Sequence, residues 1–242
     1  MKRKYFNLEL DVLDRQGVFR AVRETIRVSS QININFLNAH CFNVAQKNAE
    51  YASALKQSSL LLNDGIGVDI GAKVLGFRFP ENLNGTDLIP ELVGVFAEDG
   101  VPVFFLGARD EVISKAVETL TTRFPSLRVA GYSSGYFKDE KQLNARISES
   151  GACAVIVGMG VPLQELWVQR NKANLPGIRV FVAGGAIFDF LSGTVKRAPL
   201  WVQKLKLEWL FRLLQEPKRL FSRYVIGNFV FLLSILLYKI RQ

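Results

Sequence analysis

The chain has 242 residues, of which 49% are hydrophobic, and its formal net charge is +9. This length suits one large α/β domain, or one domain with an appendage, and the apolar content is sufficient for a substantial core. The two cysteines, Cys41 and Cys153, lie far apart, so a disulfide framework is not indicated. His40 is the only histidine, which excludes a histidine-based metal cluster.

The positive charge is concentrated at the C-terminal end. Residues 196–242 contain ten Lys and Arg and two acidic residues, a net +8, which leaves +1 for residues 1–195. This asymmetry predicts an α/β catalytic domain over 1–195 and a basic, apolar appendage over 196–242.

Short apolar runs, rich in Val, Ile and Phe, predict buried strands at 32–37, 59–63, 101–107, 127–132, 153–158 and 178–184. Amphipathic stretches of helical length lie between several of them, for example at 109–124, 138–150 and 162–174. The segment 65–95 is less regular and predicts a long polar loop before a helix near Asp87. The alternation predicts a Rossmann-like, mostly parallel sheet with helices on both faces.

Polar or glycine-rich turns follow most of these strands. In open α/β sheets the ligand binds beyond the carboxyl ends of the strands, so these turns predict one common site. They include Asn38-Ala39-His40, Asp64-Gly65, Gly107-Ala108-Arg109, Gly158-Met159-Gly160 and Gly184-Gly185.

The stretch "GMGVPLQE", which begins at Gly158, leads from a strand into a helix. A dinucleotide fingerprint requires a third glycine where Leu163 stands, and a Walker lysine motif is absent. The turn favours an anion through backbone N–H groups and the helix dipole. Gln164 and Glu165 are placed to hydrogen-bond a base or a sugar, although Glu165 also suits the dipole of a helix N-terminus alone.

Asp64 directly follows an apolar strand and is well placed as a general base, although Asp before Gly is also a common turn residue. Asp69, Asp87 and Asp189 are competing carboxylates, and Asp87 also suits the first turn of a helix. No D-x-D pair is present, so cationic side chains and helix dipoles are expected to stabilise a leaving diphosphate.

The C-terminal segment interleaves basic residues with Trp201, Trp209 and many leucines, and 225–238 is almost wholly apolar. Those 14 residues would form a helix of about 21 Å, shorter than the ~30 Å hydrocarbon core. The pattern predicts a helix lying in an anionic membrane interface. A longer span that includes flanking residues, and an ordinary helix docked on the core, are the alternatives.

Several stretches together resemble the WecG/TagA/CpsF family, glycosyltransferase family 26, from about Ile32 to Arg223. The resemblance rests on "DGIGVD", "NGTDL", "PVFFLGA", "GYF", "GMGVPLQE", "GGAIFDFLSGTVKRAP" and "LEWLFRLLQEPKRLFSR". It implies an inverting enzyme that moves a hexose or N-acetylhexosamine, of N-acetylmannosamine or glucose type, from a UDP-sugar to a polyprenyl-diphosphate-linked sugar. It further implies metal-independent catalysis without a cofactor, in cell-surface polysaccharide synthesis at the cytoplasmic face of the bacterial inner membrane, with peripheral or monotopic attachment.

The resemblance implies that Asp64 is the base and that Asn38 belongs to the catalytic centre. Phe36 stands where teichoic-acid members have threonine, and Asn82 stands near an arginine of theirs, so the donor sugar is left open. The substrate-binding residues expected from the turns and the motifs are His40, Asn84, Asp87, Gly107, Gly158, Gly160, Gln164, Glu165, Gly184, Gly185, Arg212, Arg219 and Arg223.

Two other classes of protein are weighed against this interpretation. One is a nucleotide-dependent oxidoreductase on a Rossmann-like sheet, against which the incomplete glycine fingerprint argues. The other is a non-catalytic module that binds a membrane or a nucleic acid. We expect no nucleic-acid partner, because the basic segment is also strongly apolar, and homo-oligomerisation is left open.

Overall fold

A computed structural model describes residues 1–240. Residues 241 and 242, the end of the predicted appendage with the basic residue Arg241, lie outside the described residues. The strands are β1 Lys2–Tyr5, β2 Leu8–Asp11, β3 Ile32–Leu37, β4 Leu60–Asn63, β5 Val103–Gly107, β6 Val129–Ser133, β7 Ala154–Gly158 and β8 Val180–Ala183.

Thirteen α-helices occur among residues 1–240, with a 3₁₀ turn at Lys172–Asn174 and a π-helical turn at Ser222–Ile226. The helices are α1 Arg15–Arg27, α2 Ala39–Lys47, α3 Ala49–Lys56, α4 Ile66–Val74, α5 Gly85–Glu98, α6 Asp110–Arg123, α7 Glu140–Glu149, α8 Leu163–Asn171, α9 Ile187–Leu191, α10 Leu200–Lys204, α11 Glu208–Gln215, α12 Pro217–Phe221 and α13 Gly227–Ile240.

The predicted fold class is confirmed. All six predicted strands are present, and they form one parallel sheet in the order β4-β3-β8-β7-β5-β6. Helices α1, α5, α6 and α9 pack on one face, and α2, α3, α7 and α8 pack on the other. Because both faces are covered, most of the strand residues are buried, which explains the nearly continuous apolar runs.

The sequence did not predict the hairpin of β1 and β2, helix α1, or helix α4 in the irregular segment 65–95. The glycines of α4 concealed this helix, because glycine is a poor helix former. Tertiary packing stabilises α4 instead, since Val68 and Ala72 are fully buried. A Cβ atom on Gly71 would lie 2.0 Å from the Tyr5 hydroxyl, so only glycine fits at this contact.

The C-terminal helix α13 both docks on the body and exposes an apolar face. Phe231 and Ile235 are buried against the cluster that contains Phe42, and Asn43 donates a 2.7 Å hydrogen bond to the Gly227 carbonyl. The opposite face exposes Phe229, Val230, Leu232, Leu233, Leu236, Leu237 and Ile240. Helix α13 is therefore docked on the body, as one alternative expected, and it also presents the exposed apolar face predicted for a helix at a membrane interface.

The helical run that contains α13 is longer than the 14 residues predicted from hydropathy. Pro217–Ile240 forms a continuous run of 24 residues, long and apolar enough to cross a membrane by length and composition. At 1.5 Å per residue it extends about 36 Å. Length therefore does not exclude a membrane span, which is the alternative that the sequence left open through the residues flanking 225–238.

The order of the strands places a crevice at the centre of the carboxyl edge. The helix after β3, α2, packs on one face of the sheet, whereas the helix after the adjacent β8, α9, packs on the other. Such a reversal leaves a crevice beyond the carboxyl ends of the two strands, which is where open α/β sheets bind ligands.

Candidate active site

A cavity of about 770 Å³ lies beyond the carboxyl ends of β3, β4, β5, β7 and β8 and is completed by the C-terminal helices. The structure brings together most of the residues that the sequence predicted for the site. Those that line the cavity are Asn38, His40, Asp64, Gly158, Gly160, Gln164, Glu165, Gly184, Gly185, Arg212, Arg219 and Arg223.

Asp64 and Asn38 form the polar pair at the ends of β4 and β3. The Asn38 amide nitrogen donates a 2.9 Å hydrogen bond to Asp64 Oδ2, while its oxygen accepts from the Cys41 N–H at 3.0 Å and caps α2. Burial raises the pKa of Asp64, whereas the Asn38 hydrogen bond and the guanidinium of Arg223 lower it. The site thus holds a half-buried carboxylate with a fixed hydrogen-bond donor, as a general base requires.

Gln164 joins two turns of the cavity wall. Its Oε1 atom accepts hydrogen bonds from the Gly160 N–H at 3.2 Å and the Gly185 N–H at 2.9 Å. Its Nε2 atom donates to Glu165 Oε1 at 2.9 Å. Because these bonds use both polar ends of the amide, Gln164 holds the β7–α8 and β8–α9 turns together.

Glu165 is a buried carboxyl group with spare hydrogen-bonding capacity. The residue is 2% exposed, and its Oε2 atom has no hydrogen-bond partner within residues 1–240. Burial raises the pKa of Glu165 to about 7, against the lowering effect of the Gln164 hydrogen bond. A buried carboxyl at this pKa can take up or release a proton near neutral pH.

Three arginines from the C-terminal helices supply positive charge to the cavity. The guanidinium of Arg212 lies over the ring of Phe190 at 4.8 Å, and that of Arg219 lies 2.6 Å from Glu216. The Nε atoms of Arg212 and Arg223 are buried without a hydrogen-bond partner in the described part of the chain. All three side chains line the cavity, so their guanidinium groups can pair with an anionic ligand, such as a diphosphate.

His40 lines the cavity as a neutral imidazole. Burial, together with the charge of Arg223, lowers its pKa to about 4. At neutral pH it can donate or accept a hydrogen bond, but it adds no positive charge to the site.

Three of the predicted site residues lie outside the cavity lining. Asn84 caps α5, accepting from the Asp87 N–H at 3.0 Å and donating to its carboxylate at 2.7 Å. Asp87 lies 2.6 Å from a guanidinium nitrogen of Arg197. Gly107 has a φ of +146°, and a Cβ there would lie 2.2 Å from the Gly158 carbonyl oxygen, so its role is close packing of the two strand ends.

The structure adds residues to the site that sequence reasoning did not assign. Arg109 and Tyr136 line one end of the cavity, Tyr136 is 74% exposed, and Arg109 forms no salt bridge within residues 1–240. Both had a signal in the sequence, since Arg109 follows the Gly107 turn and Tyr136 lies in the "GYF" stretch. Thr86 also lines the cavity, as does Asp189, one of the carboxylates that the sequence offered as an alternative to Asp64; burial raises the pKa of Asp189 against the effect of Arg219.

No group of three or more His, Cys, Asp or Glu side chains within residues 1–240 is arranged to hold a metal ion. The cationic side chains that line the cavity are those of Arg109, Arg212, Arg219 and Arg223.

Comparison with known proteins gives two kinds of match. The family model "Glycosyl transferase WecG/TagA/CpsF family" matches residues 3–242. An N-acetylglucosaminyldiphosphoundecaprenol N-acetyl-beta-D-mannosaminyltransferase of Bacillus subtilis is 33% identical over 186 residues, covering 77% of this chain and 72% of the relative. A protein of the same name from Bacillus spizizenii is 36% identical over 175 residues, covering 72% of this chain and 68% of the relative.

Proposed function

Because this chain belongs to the WecG/TagA/CpsF family of glycosyltransferases, we propose that it is an inverting enzyme that uses a UDP-sugar as donor. The acceptor is a polyprenyl-diphosphate-linked sugar, and the product enters a bacterial cell-surface polysaccharide. The observation that carries this proposal is the single cavity that combines the Asp64–Asn38 pair with three guanidinium groups.

The proposed reaction is one displacement at the anomeric carbon of the donor sugar. Asp64 takes the proton of the acceptor hydroxyl as its oxygen forms the new glycosidic bond, and Asn38 holds the carboxylate in place. The bond from the anomeric carbon to the UDP oxygen breaks, and its electron pair leaves with the diphosphate. Arg212, Arg219 and Arg223 stabilise that developing negative charge without a metal ion.

We place the donor along the carboxyl edge of the sheet, with its sugar at Asp64 and its nucleoside at Tyr136. The strand order puts β4 and β5 at opposite ends of the cavity, so a donor held at both ends lies across the edge. The exposed ring of Tyr136 offers a stacking surface for the base. Arg109, on the adjacent turn, is a cation for the diphosphate.

The exposed face of α13 and the neighbouring basic residues support a location at the cytoplasmic face of the inner membrane. Lys204, Lys206 and Trp201 are exposed on the same C-terminal segment that carries the site arginines. Cations and apolar side chains of this kind bind anionic lipid surfaces. Attachment there would bring the cavity to the level of a lipid-linked acceptor.

The test is sugar transfer with the purified protein in detergent. A panel of UDP-sugars, beginning with UDP-N-acetylmannosamine and including UDP-glucose, is offered with a polyprenyl-diphosphate-linked N-acetylglucosamine acceptor, with and without EDTA. We expect transfer from one donor, with inversion at the anomeric carbon and no loss in EDTA. Absence of UDP binding and of transfer would overturn the proposal, and loss in EDTA that Mg²⁺ restores would overturn the metal-independent step.

A further inference from the structure

Three charged residues from separate motifs meet beside the cavity without lining it. Asp87 lies in the first turn of α5, Arg197 precedes α10, and Glu208 is the first residue of α11. A guanidinium nitrogen of Arg197 lies 2.6 Å from Asp87 Oδ1, and its Nε donates to Glu208 Oε1 at 3.2 Å. We call this group the Arg197 ion cluster.

The Arg197 ion cluster joins the cavity wall to the helix that carries an active-site cation. On one side, Asp87 follows Gly85 and Thr86, which line the cavity, and it is itself fixed by Asn84. On the other side, Glu208 lies four residues before Arg212, so both occupy the same face of α11. The cluster therefore links the start of α11 to the cavity wall, while Gln215 at its end donates to the Lys196 carbonyl at 3.1 Å.

The geometry points to Arg197 as a positioning residue that orients α11 so that Arg212 faces the cavity. This inference rests on the proposed function. An isolated surface ion pair contributes little, but here one partly buried guanidinium holds two carboxylates from different segments. The guanidinium forms an ion pair with Asp87 through one nitrogen and a hydrogen bond with Glu208 through Nε. A lysine ammonium, a point charge on a flexible stem, does not reproduce this two-directional geometry.

Loss of Arg197 would leave Asp87 and Glu208 facing each other without a cation between them. Their repulsion displaces the start of α11 and with it Arg212. We therefore expect Arg197→Met to lower kcat by about tenfold or more, as for the loss of one charge-stabilising group. Arg197→Lys keeps the charge but loses the two-directional geometry and is expected to recover only part of this loss.

A second arginine provides a matched control. Arg15 also contacts two carboxylates, Glu81 and Glu91, and lies outside the cavity lining. Arg15→Met removes an ion cluster of the same kind and is expected to leave kcat near the wild-type value. A comparison of the two variants separates general destabilisation from positioning.

The decisive experiment is a double-mutant cycle with two readouts. Wild type, Arg197→Met, Arg212→Met, the double variant and Arg15→Met are compared for kcat and for hydrogen exchange of residues 208–215. If Arg197 acts through Arg212, the Arg197 substitution has little further effect once Arg212 is gone, and it increases exchange in α11. Additive losses in the cycle, or an Arg197 variant that matches the Arg15 control in both readouts, would overturn the inference. A wild-type protein that neither binds UDP nor transfers sugar contradicts the proposed function instead, and hydrogen exchange alone then decides whether Arg197 holds α11.

Discussion

The amide of Asn38 and the carboxylate of Asp64 are joined by a hydrogen bond of 2.9 Å, although 26 positions separate the two residues in the chain. They meet because β3 and β4 are neighbouring parallel strands that end at the same level, with the Asp64 N–H donating to the Leu37 carbonyl at 2.9 Å. The hydrogen bond orients the carboxylate of the proposed base and lowers the pKa of Asp64, and each effect leads to a prediction.

Asp64→Asn is expected to lower the transfer rate by roughly 10²–10⁴-fold, because the amide cannot accept the proton of the acceptor hydroxyl. UDP affinity, measured by calorimetry, is expected to stay close to wild type. Asp69→Asn is the matched control, since Asp69 accepts from Asn63 and does not line the cavity. Activity of Asp64→Asn within a few-fold of wild type would refute the assignment of the base.

The hydrogen bond from Asn38 is expected to govern the pH dependence of turnover. A base with a raised pKa is active only above that pKa, so kcat should fall as pH decreases through it. Asn38 lowers the pKa of Asp64, and its loss should move the acidic limb of the kcat profile to higher pH. The variant to test is Asn38→Ser, because serine keeps a side-chain oxygen that can cap α2. Asn38→Ala would remove the cap and lower the free energy of unfolding by about 1 kcal/mol. An acidic limb that stays in place or moves to lower pH contradicts the role of Asn38.

Glu165 is expected to make stability fall as pH rises. Its pKa is about 7 in the folded chain, above the ordinary value of 4.5, so the native state binds more protons than the unfolded state between these pH values. The free energy of unfolding should therefore decrease across this window, by up to roughly 3 kcal/mol. Glu165→Gln should be stabilised relative to wild type at pH 8 more than at pH 5, in denaturant titrations at both pH values.

The exposed Glu149 on α7 provides the control, because Glu149→Gln removes a carboxylate without changing a buried group. An equal stability difference at pH 5 and pH 8 for the Glu165 variant would show that this carboxyl does not titrate in the window.

Tyr136→Ala is expected to weaken UDP binding roughly two- to tenfold, the range for an aromatic stacking contact of about 0.5–1.5 kcal/mol. Tyr136→Phe should bind UDP like wild type, because the ring is retained. Tyr132→Ala is the control, since Tyr132 is also an exposed tyrosine but lies outside the cavity lining. Arg109→Gln should weaken UDP binding and leave uridine binding unchanged. If Tyr136→Ala and the wild type bind UDP with equal affinity, the nucleoside does not bind at this end of the cavity.

Lys204→Glu and Lys206→Glu are expected to reduce binding to anionic vesicles, and more at low than at high salt, because surface charges are screened by ions. Co-sedimentation measures the effect, with Lys115→Glu on the exposed side of α6 as control. Charge reversal is a sharper test than truncation before Lys196, because truncation also removes Phe231 and Ile235 from the core. Unchanged sedimentation of both variants at low salt would show that these lysines do not attract the membrane.

The sequence by itself was sufficient for the sheet and for the approximate position of the site. The six central strands are buried on both faces, so each is an uninterrupted apolar run that can be recognised without knowledge of its neighbours. The turns at Asp64, Gly158 and Gly184 follow those runs directly, and the rule that ligands bind at the carboxyl edge placed them together. The family motifs added the expectation of a glycosyltransferase.

Only the tertiary structure decided which side chains contact one another across the molecule. Helix α4 was concealed because its stability comes from burial under distant residues, while its glycines lower the local helix propensity. Gln164 and Asp87 belonged to predicted site motifs, yet the structure assigns the first to a bridge between two turns and the second to an ion pair with Arg197. The local pattern of apolar and polar residues indicates whether a residue is buried. Its partner depends on the packing of distant segments, because 21 positions separate Gln164 from Gly185 and 110 separate Asp87 from Arg197.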